Sequence, residues 1–141
     1  MLLLKQFPFF HPFTGCDTVS AFYGIGKKKA WNVWEELSKS SDVLDQIFID
    51  LTSRPESVSA DQKSSLEKYV ASLYYPNSGA DNIDKCRELM ILQKVCDPQK
   101  LPPASSALFY HIKRAVYQAG YVWSQCLSSQ QTLLYTNGDG R

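Results

Sequence analysis

Gly15-Cys16-Asp17-Thr18-Val19-Ser20-Ala21-Phe22-Tyr23-Gly24-Ile25-Gly26-Lys27-Lys28-Lys29-Ala30 is the stretch on which the reading of this chain turns. Gly24 and Gly26 flank one aliphatic residue, a pattern suited to a tight turn with backbone angles that side chains resist. Ile25 can anchor that turn in a core. Residues 15–22 suit a short helix before the turn, and Lys28 to about Lys39 reads as a helix after it, with apolar positions Trp31, Val33, Trp34 and Leu37. Ala30 is small enough for two helices to cross closely there. The local expectation is a helix, a Gly-Ile-Gly hairpin and a second helix.

The hairpin carries a chemistry as well as a shape. Without side chains, Gly24 and Gly26 let backbone N–H groups approach a phosphate. The following helix adds its unsatisfied N-terminal N–H groups and partial positive charge. Lys27, Lys28 and Lys29 add Coulomb attraction. Such contacts go to phosphate, so they position a protein on nucleic acid without reading bases. The plain alternative, a glycine turn followed by a solvated lysine face, is the better reading of those few residues taken alone.

In its full length the run resembles the flap-endonuclease-like (PIN-like) 5′-nucleases. In that superfamily a Gly-Ser/Cys-Asp tripeptide ends the nuclease core, and Gly-Ile-Gly with basic residues and alanine follows at this spacing, as it does here from Gly15 to Ala30. The resemblance implies a helix-hairpin-helix variant that binds duplex phosphates, often with a monovalent cation held by backbone carbonyls. Carried over, Gly24, Ile25, Gly26, Lys27, Lys28 and Lys29 form the duplex-binding set, and Asp17 matches a carboxylate of the divalent-metal site. The match covers the quoted run and, more loosely, the chain through the helix that Ser41 begins. Two departures stand out. Phe9-Phe10-His11-Pro12-Phe13 is poor material for the strand the family has before the tripeptide. The 16 residues before Asp17 also contain no Asp or Glu, whereas the family's other metal-binding acids lie upstream. A second resemblance, carried by Arg114-Ala-Val-Tyr-Gln-Ala-Gly-Tyr-Val-Trp123, is to uncharacterised animal proteins linked to mobile elements, and it implies no activity.

Outward from the hairpin the pattern stays helical. Ser41 can cap a short helix carrying Val43, Leu44, Ile47 and Phe48. Ser53 to Ser57 reads as a linker around Pro55. Ser59 can cap a helix to about Tyr75, with Leu66, Tyr69, Val70 and Leu73 at helical spacing. Pro76-Asn-Ser-Gly79 is a turn, Asn82 to Lys94 a helix, and Asp97 to Pro103 a proline-containing loop. A last helix is expected from about Pro103 to Leu127, lined by Leu108, Ile112, Ala115, Val116, Ala119, Trp123 and Cys126. The fold class is all-α: a helix-hairpin-helix followed by a small helical bundle. Residues 1–14 read as an apolar remnant of an upstream nuclease-like core, or as a segment packed on this domain. Residues 15–52 then form the DNA-binding motif, 53–130 the bundle, and 131–141 a disordered tail.

Bulk properties bound the remaining classes. The chain has 141 residues, 44% of them hydrophobic and 21% charged, which is globular composition. Net charge is +1, but residues 1–34 hold four lysines against Asp17 alone, so +3 lies there and −2 in the rest. Cys16, Cys86, Cys96 and Cys126 form no C-x-x-C pair, and the two histidines, His11 and His111, do not complete a zinc pattern. Reduced cysteines in an intracellular, nuclear protein are expected. No run reaches the ~18 apolar residues that span a bilayer. Met1-Leu-Leu-Leu-Lys5 lacks a basic n-region, and Lys5, Gln6 and Pro8 break its apolar run, against a signal peptide.

Other candidates have a functional and a plain reading. Asp17 is a relic metal ligand or a cap over Thr18 to Phe22, and this chain alone favours the cap. His11 with Cys16 and Asp17 has nothing to bring it together as a catalytic site. Trp31, Trp34 and Trp123 can stack bases or fill the core, and their helical spacing favours the core. His111, Lys113 and Arg114 extend a basic surface or sit on a solvated helix face. No catalytic base is apparent, and Glu35-Glu36 reads as solvent-exposed. The sequence therefore leads to binding of the backbone of double-stranded or branched DNA. It calls for no small-molecule substrate, no membrane, no catalytic residue and no cofactor of its own beyond a monovalent cation at the hairpin. Mg²⁺ enters only with an upstream domain. The alternatives are a helical protein-interaction module that has lost DNA binding and the C-terminal part of an active structure-specific nuclease.

Overall fold

The structure is a computed structural model that describes residues 9–16, 21–53, 58–95 and 97–138, with side chains described outside residues 53 and 122–138. The described residues are all-helical, with no strand among them. Helix α1 covers residues 9–13, α2 Lys27–Ser40, α3 Val43–Ser53, α4 Ala60–Tyr74, α5 Ile83–Leu92 and α6 Ser105–Gly138, with a 3-10 turn at Pro98–Lys100.

Local chemistry sets most of the boundaries. Ser41 Oγ accepts from Val43 N at 3.2 Å and opens α3. Ser59 and Gln62 form a reciprocal capping box at the start of α4, with Gln62 N to Ser59 Oγ at 3.1 Å and Ser59 N to Gln62 Oε1 at 3.0 Å. Asn82 Oδ1 accepts from Lys85 N at 2.8 Å and opens α5. The turn between α4 and α5 places Asn77 at φ 65° and Gly79 at φ 71°, the left-handed region that asparagine and glycine tolerate. Helix α6 runs past Leu127 to Gly138. Residues 128–136 contain neither glycine nor proline, so local propensity provides no stop before Asn137-Gly138.

Helix α4 lies at the centre, touching α2, α3, α5 and α6. Its face of Leu66, Tyr69, Val70 and Leu73 is fully buried, as the helical spacing predicts. The face of α6 formed by Leu108, Ile112, Ala115, Val116 and Ala119 is buried too. Tyr69 donates its phenolic hydrogen to Ala30 O at 2.7 Å, which ties α4 to the first turns of α2. Burial raises the Tyr69 pKa well above the usual phenol value, so the group is always a donor. A second junction is ionic. Buried Glu67 accepts from Ile83 N at 3.1 Å and from Ser105 Oγ at 3.2 Å, so one α4 carboxylate holds the N-terminal ends of α5 and α6. Lys63 lies 3.8 Å from the same carboxylate.

The aromatic segment at the start belongs to this core. Phe9 and Phe13 stack at 5.1 Å between ring centroids, Phe9 meets Phe48 at 5.3 Å, and Phe13 meets Tyr69 at 6.2 Å. Trp34 is buried against Phe10 and Phe48, which removes it from any role in stacking bases. Trp31 is half-buried and donates to Glu35 Oε1 at 2.6 Å, and the Trp123 side chain lies outside the described residues. His111 departs from both sequence readings. It lies on neither a basic surface nor a solvated face, but is buried with Nε2 at 2.6 Å from Phe13 O. A carbonyl can only accept, so Nε2 carries the hydrogen.

Candidate nucleic-acid interface

The hairpin is built from the core outward. Phe22 is buried against Phe13 and His111, at 5.4 and 4.6 Å between ring centroids, and Ile25 is buried beside it. Between them, Ile25 N donates to Phe22 O at 3.0 Å and closes a four-residue turn. Gly24 stands at φ 74° in the third position of that turn, the positive angle that a type II turn requires. Tyr74 is half-buried beneath the turn and hydrogen-bonds to the Tyr23 backbone, with burial pushing its phenol up to about 12. Tyr23 and Gly24 form the exposed tip. Of the helix expected over residues 15–22, residues 17–20 lie outside the described set, and residues 21 and 22 are not helical.

Gly26 is the N-cap of α2, and its conformation corrects an expectation. It lies at φ −80° and ψ 166°, ordinary extended backbone open to any residue, so the turn needs glycine at position 24 and not at 26. A Cβ added at Gly26 would meet nothing within 4 Å. Without a side-chain cap, the first amides of α2 keep their donors unsatisfied within the helix. The first turn contains no acid.

The three lysines divide. Lys27 Nζ donates to Thr14 Oγ1 at 2.6 Å and to His11 O, and lies 5.8 Å from the centroid of the Phe10 ring. It therefore caps the C-terminal carbonyls of α1, where a cation is favoured by the helix dipole. Burial pulls its pKa below the usual lysine value, opposed by a smaller electrostatic contribution from nearby Cys16. Lys28 and Lys29 are exposed and have no partner among the described residues. Gly15, which ends α1 at φ 116°, has a role the motif reading did not assign: a Cβ there would come within 2.6 Å of Ala21 Cβ and 2.7 Å of Ala21 Cα.

Asp17 lies outside the described residues. Among the described residues no group of three or more His, Cys, Asp or Glu could hold a metal ion, and no helix is long and apolar enough to cross a membrane. Lys113 and Arg114 are exposed on α6, with Lys113 Nζ 4.2 Å from the centroid of the Phe109 ring. No protein-family model, curated protein or solved structure matches the chain.

Proposed function

We propose that the hairpin and the first turn of α2 bind the phosphate backbone of duplex DNA without sequence preference. The observation that carries this reading is the α2 start: uncapped amides, no acid in the first turn, exposed Lys28 and Lys29, and open space beyond Gly26. Backbone N–H groups and a helix N-terminus are a ready anion site, and two lysines beside it would neutralise about two phosphates. Gly24 shapes the turn, Ile25 anchors it, and Lys27 fixes its register on α1. A monovalent cation bound by the hairpin would draw on the carbonyls of Tyr23, Gly24 and Ile25, since those of Phe22 and Gly26 already accept amides at 3.0 Å. The reading as an interaction module without DNA contact gains from the engagement of Lys27, which leaves fewer cations for phosphate.

Fluorescence anisotropy of a short labelled duplex separates the two. DNA binding predicts a log-log salt slope of about −2 and the same affinity for unrelated sequences. Gly26→Val is the sharper probe. Its backbone angles suit valine and the added carbons enter open space, so the fold should stay intact while phosphate approach is obstructed. A folded Gly26→Val chain with wild-type affinity would leave the hairpin as a connector.

A further inference from the structure

The exposed side of α6 carries a ridge that neither the hairpin nor the core uses. Tyr110, Arg114, Tyr117 and Tyr121 follow i, i+4, i+7 and i+11 spacing, and at 3.6 residues per turn these four fall on one narrow stripe. The tyrosines are 61%, 77% and 55% exposed in that order. Directly opposite, Leu108, Ile112, Ala115 and Ala119 are fully buried. The stripe is thus the outward face of a helix whose inward face is already committed. Lys113 flanks it, with Nζ 5.4 Å from the centroid of the Tyr110 ring.

Composition argues for what covers it. From Ser105 to Gly138 the helix has no Asp or Glu, and its only charges are Lys113 and Arg114. The exposed positions among 105–121 hold no Leu, Ile, Val or Met, so the face lacks the aliphatic knobs with which helices interlock. What it offers is flat aromatic surface, phenolic hydroxyls and cations, over about 16 Å between Tyr110 and Tyr121 at 1.5 Å per residue. Stacked rings with interleaved positive charge match unpaired bases on an anionic backbone.

We propose that the Tyr110–Arg114–Tyr117–Tyr121 ridge of α6 is a stacking platform for single-stranded DNA, separate from the hairpin and independent of its role. The rings take base faces, and Arg114 with Lys113 takes phosphate. Recognition is tolerant of sequence because every base has a π-face.

The test compares a labelled oligothymidylate, an abasic strand of equal length and a duplex, by anisotropy on the full chain. Replacing Tyr110, Tyr117 and Tyr121 together by Ser should weaken oligothymidylate binding about a hundredfold, from about fivefold per lost stack, with duplex binding unchanged. The corresponding triple Phe variant should bind within about twofold of wild type, because stacking needs the ring and not the hydroxyl. Arg114→Gln should reduce the single-strand salt slope by about 0.7. Lys28→Glu with Lys29→Glu should leave oligothymidylate binding intact. Circular dichroism checks that each variant folds. Equal affinity for the abasic strand, undiminished binding by the triple Ser variant, or no oligothymidylate binding at low salt overturns the proposal. A tighter grip on oligouridylate than on oligothymidylate overturns the assignment to DNA. A self-association seen in sedimentation and dissolved by the triple Ser variant makes the ridge a contact between copies instead.

Discussion

Lys27, Lys28 and Lys29 look alike as a run, and the structure predicts that they behave differently. Replacing Lys27 by Met removes an ammonium that donates to Thr14 Oγ1 at 2.6 Å and to His11 O at the end of α1. Hydrogen bonds to a charged group are worth about 1.5–3 kcal/mol. Lys27 is more than a third exposed, so solvent screening reduces this, and the abandoned acceptors can in part turn to water. A loss of about 1–2 kcal/mol follows, or about 4–8 °C in Tm at about 4 °C per kcal/mol for a chain of this size. The duplex salt slope should stay near −2. Lys28→Met with Lys29→Met should do the reverse: stability within about 0.5 kcal/mol of wild type, with the slope falling toward zero. Thermal unfolding by circular dichroism and a salt series of duplex titrations measure both quantities on the same preparations. If Lys27→Met melts like wild type and takes about one unit from the slope, as a phosphate-binding lysine would, then the strut to α1 does not exist in solution.

The glycines should rank by backbone angle and space. Gly15→Ala, at φ 116° and facing the Ala21 backbone, should cost about 2–4 kcal/mol, Gly24→Ala about 1 kcal/mol, and Gly26→Ala less than about 0.5 kcal/mol. Urea denaturation checks the order, and a Gly26 variant less stable than the Gly24 variant would contradict it. His111 makes stability pH-dependent. Burial, the largest cause, and Arg114 hold its pKa below the usual histidine value against the bond to Phe13. The unfolded chain therefore takes up a proton near pH 6.5 that the folded chain resists. Stability is complete above that pH and falls on acidification through it, by up to about 1.4 kcal/mol per pH unit. His111→Gln should flatten this part of the profile, and a wild-type profile that parallels it would refute the assignment. Finally, the chain alone should not cleave nicked, flapped or duplex DNA in Mg²⁺ or Mn²⁺, because Asp17 is the sole acid in residues 1–34 and hard cations need several oxygen ligands. Cleavage that Asp17→Ala abolishes would show a metal site assembled from other residues.

How much of this was legible depends on the range of the force involved. Ser59, Asn82 and Ser41 act on amides two or three residues away, so a cap and its helix can be read together from the chain. The apolar faces of α4 and α6 follow from spacing, because residues three and four apart fall on one side of a helix, whereas the wider burial of the central α4, which takes in Glu67 and Ala71, does not. The ridge on α6 carried an equally periodic signal, visible as the complement of the apolar positions. Long-range polar contacts left no such trace. His111 meets Phe13 O across 98 positions, and Lys27 meets His11 O across 16. Periodicity reports which side of a helix is wet, but not which buried carbonyl awaits a donor.

Those two contacts share a target, and that bears on the hairpin. Helix α1 ends with carbonyls that its own backbone cannot satisfy. Lys27 donates to His11 O and His111 donates to Phe13 O at 2.6 Å, while Phe10 O, which already accepts Thr14 N at 3.0 Å, takes a second bond from Thr14 Oγ1 at 2.8 Å. The end of α1 therefore gathers a donor from the first residue of α2 and another from α6. Phe22, which sets the near side of the hairpin, packs on Phe13 and on His111. A segment that reads as weak strand material thus becomes the seat of the turn: its aromatic face fills the core, and its carbonyl end fixes the angle at which α2 leaves. Cutting that seat by Lys27→Met or His111→Gln should loosen the hairpin before it alters any surface a phosphate could touch.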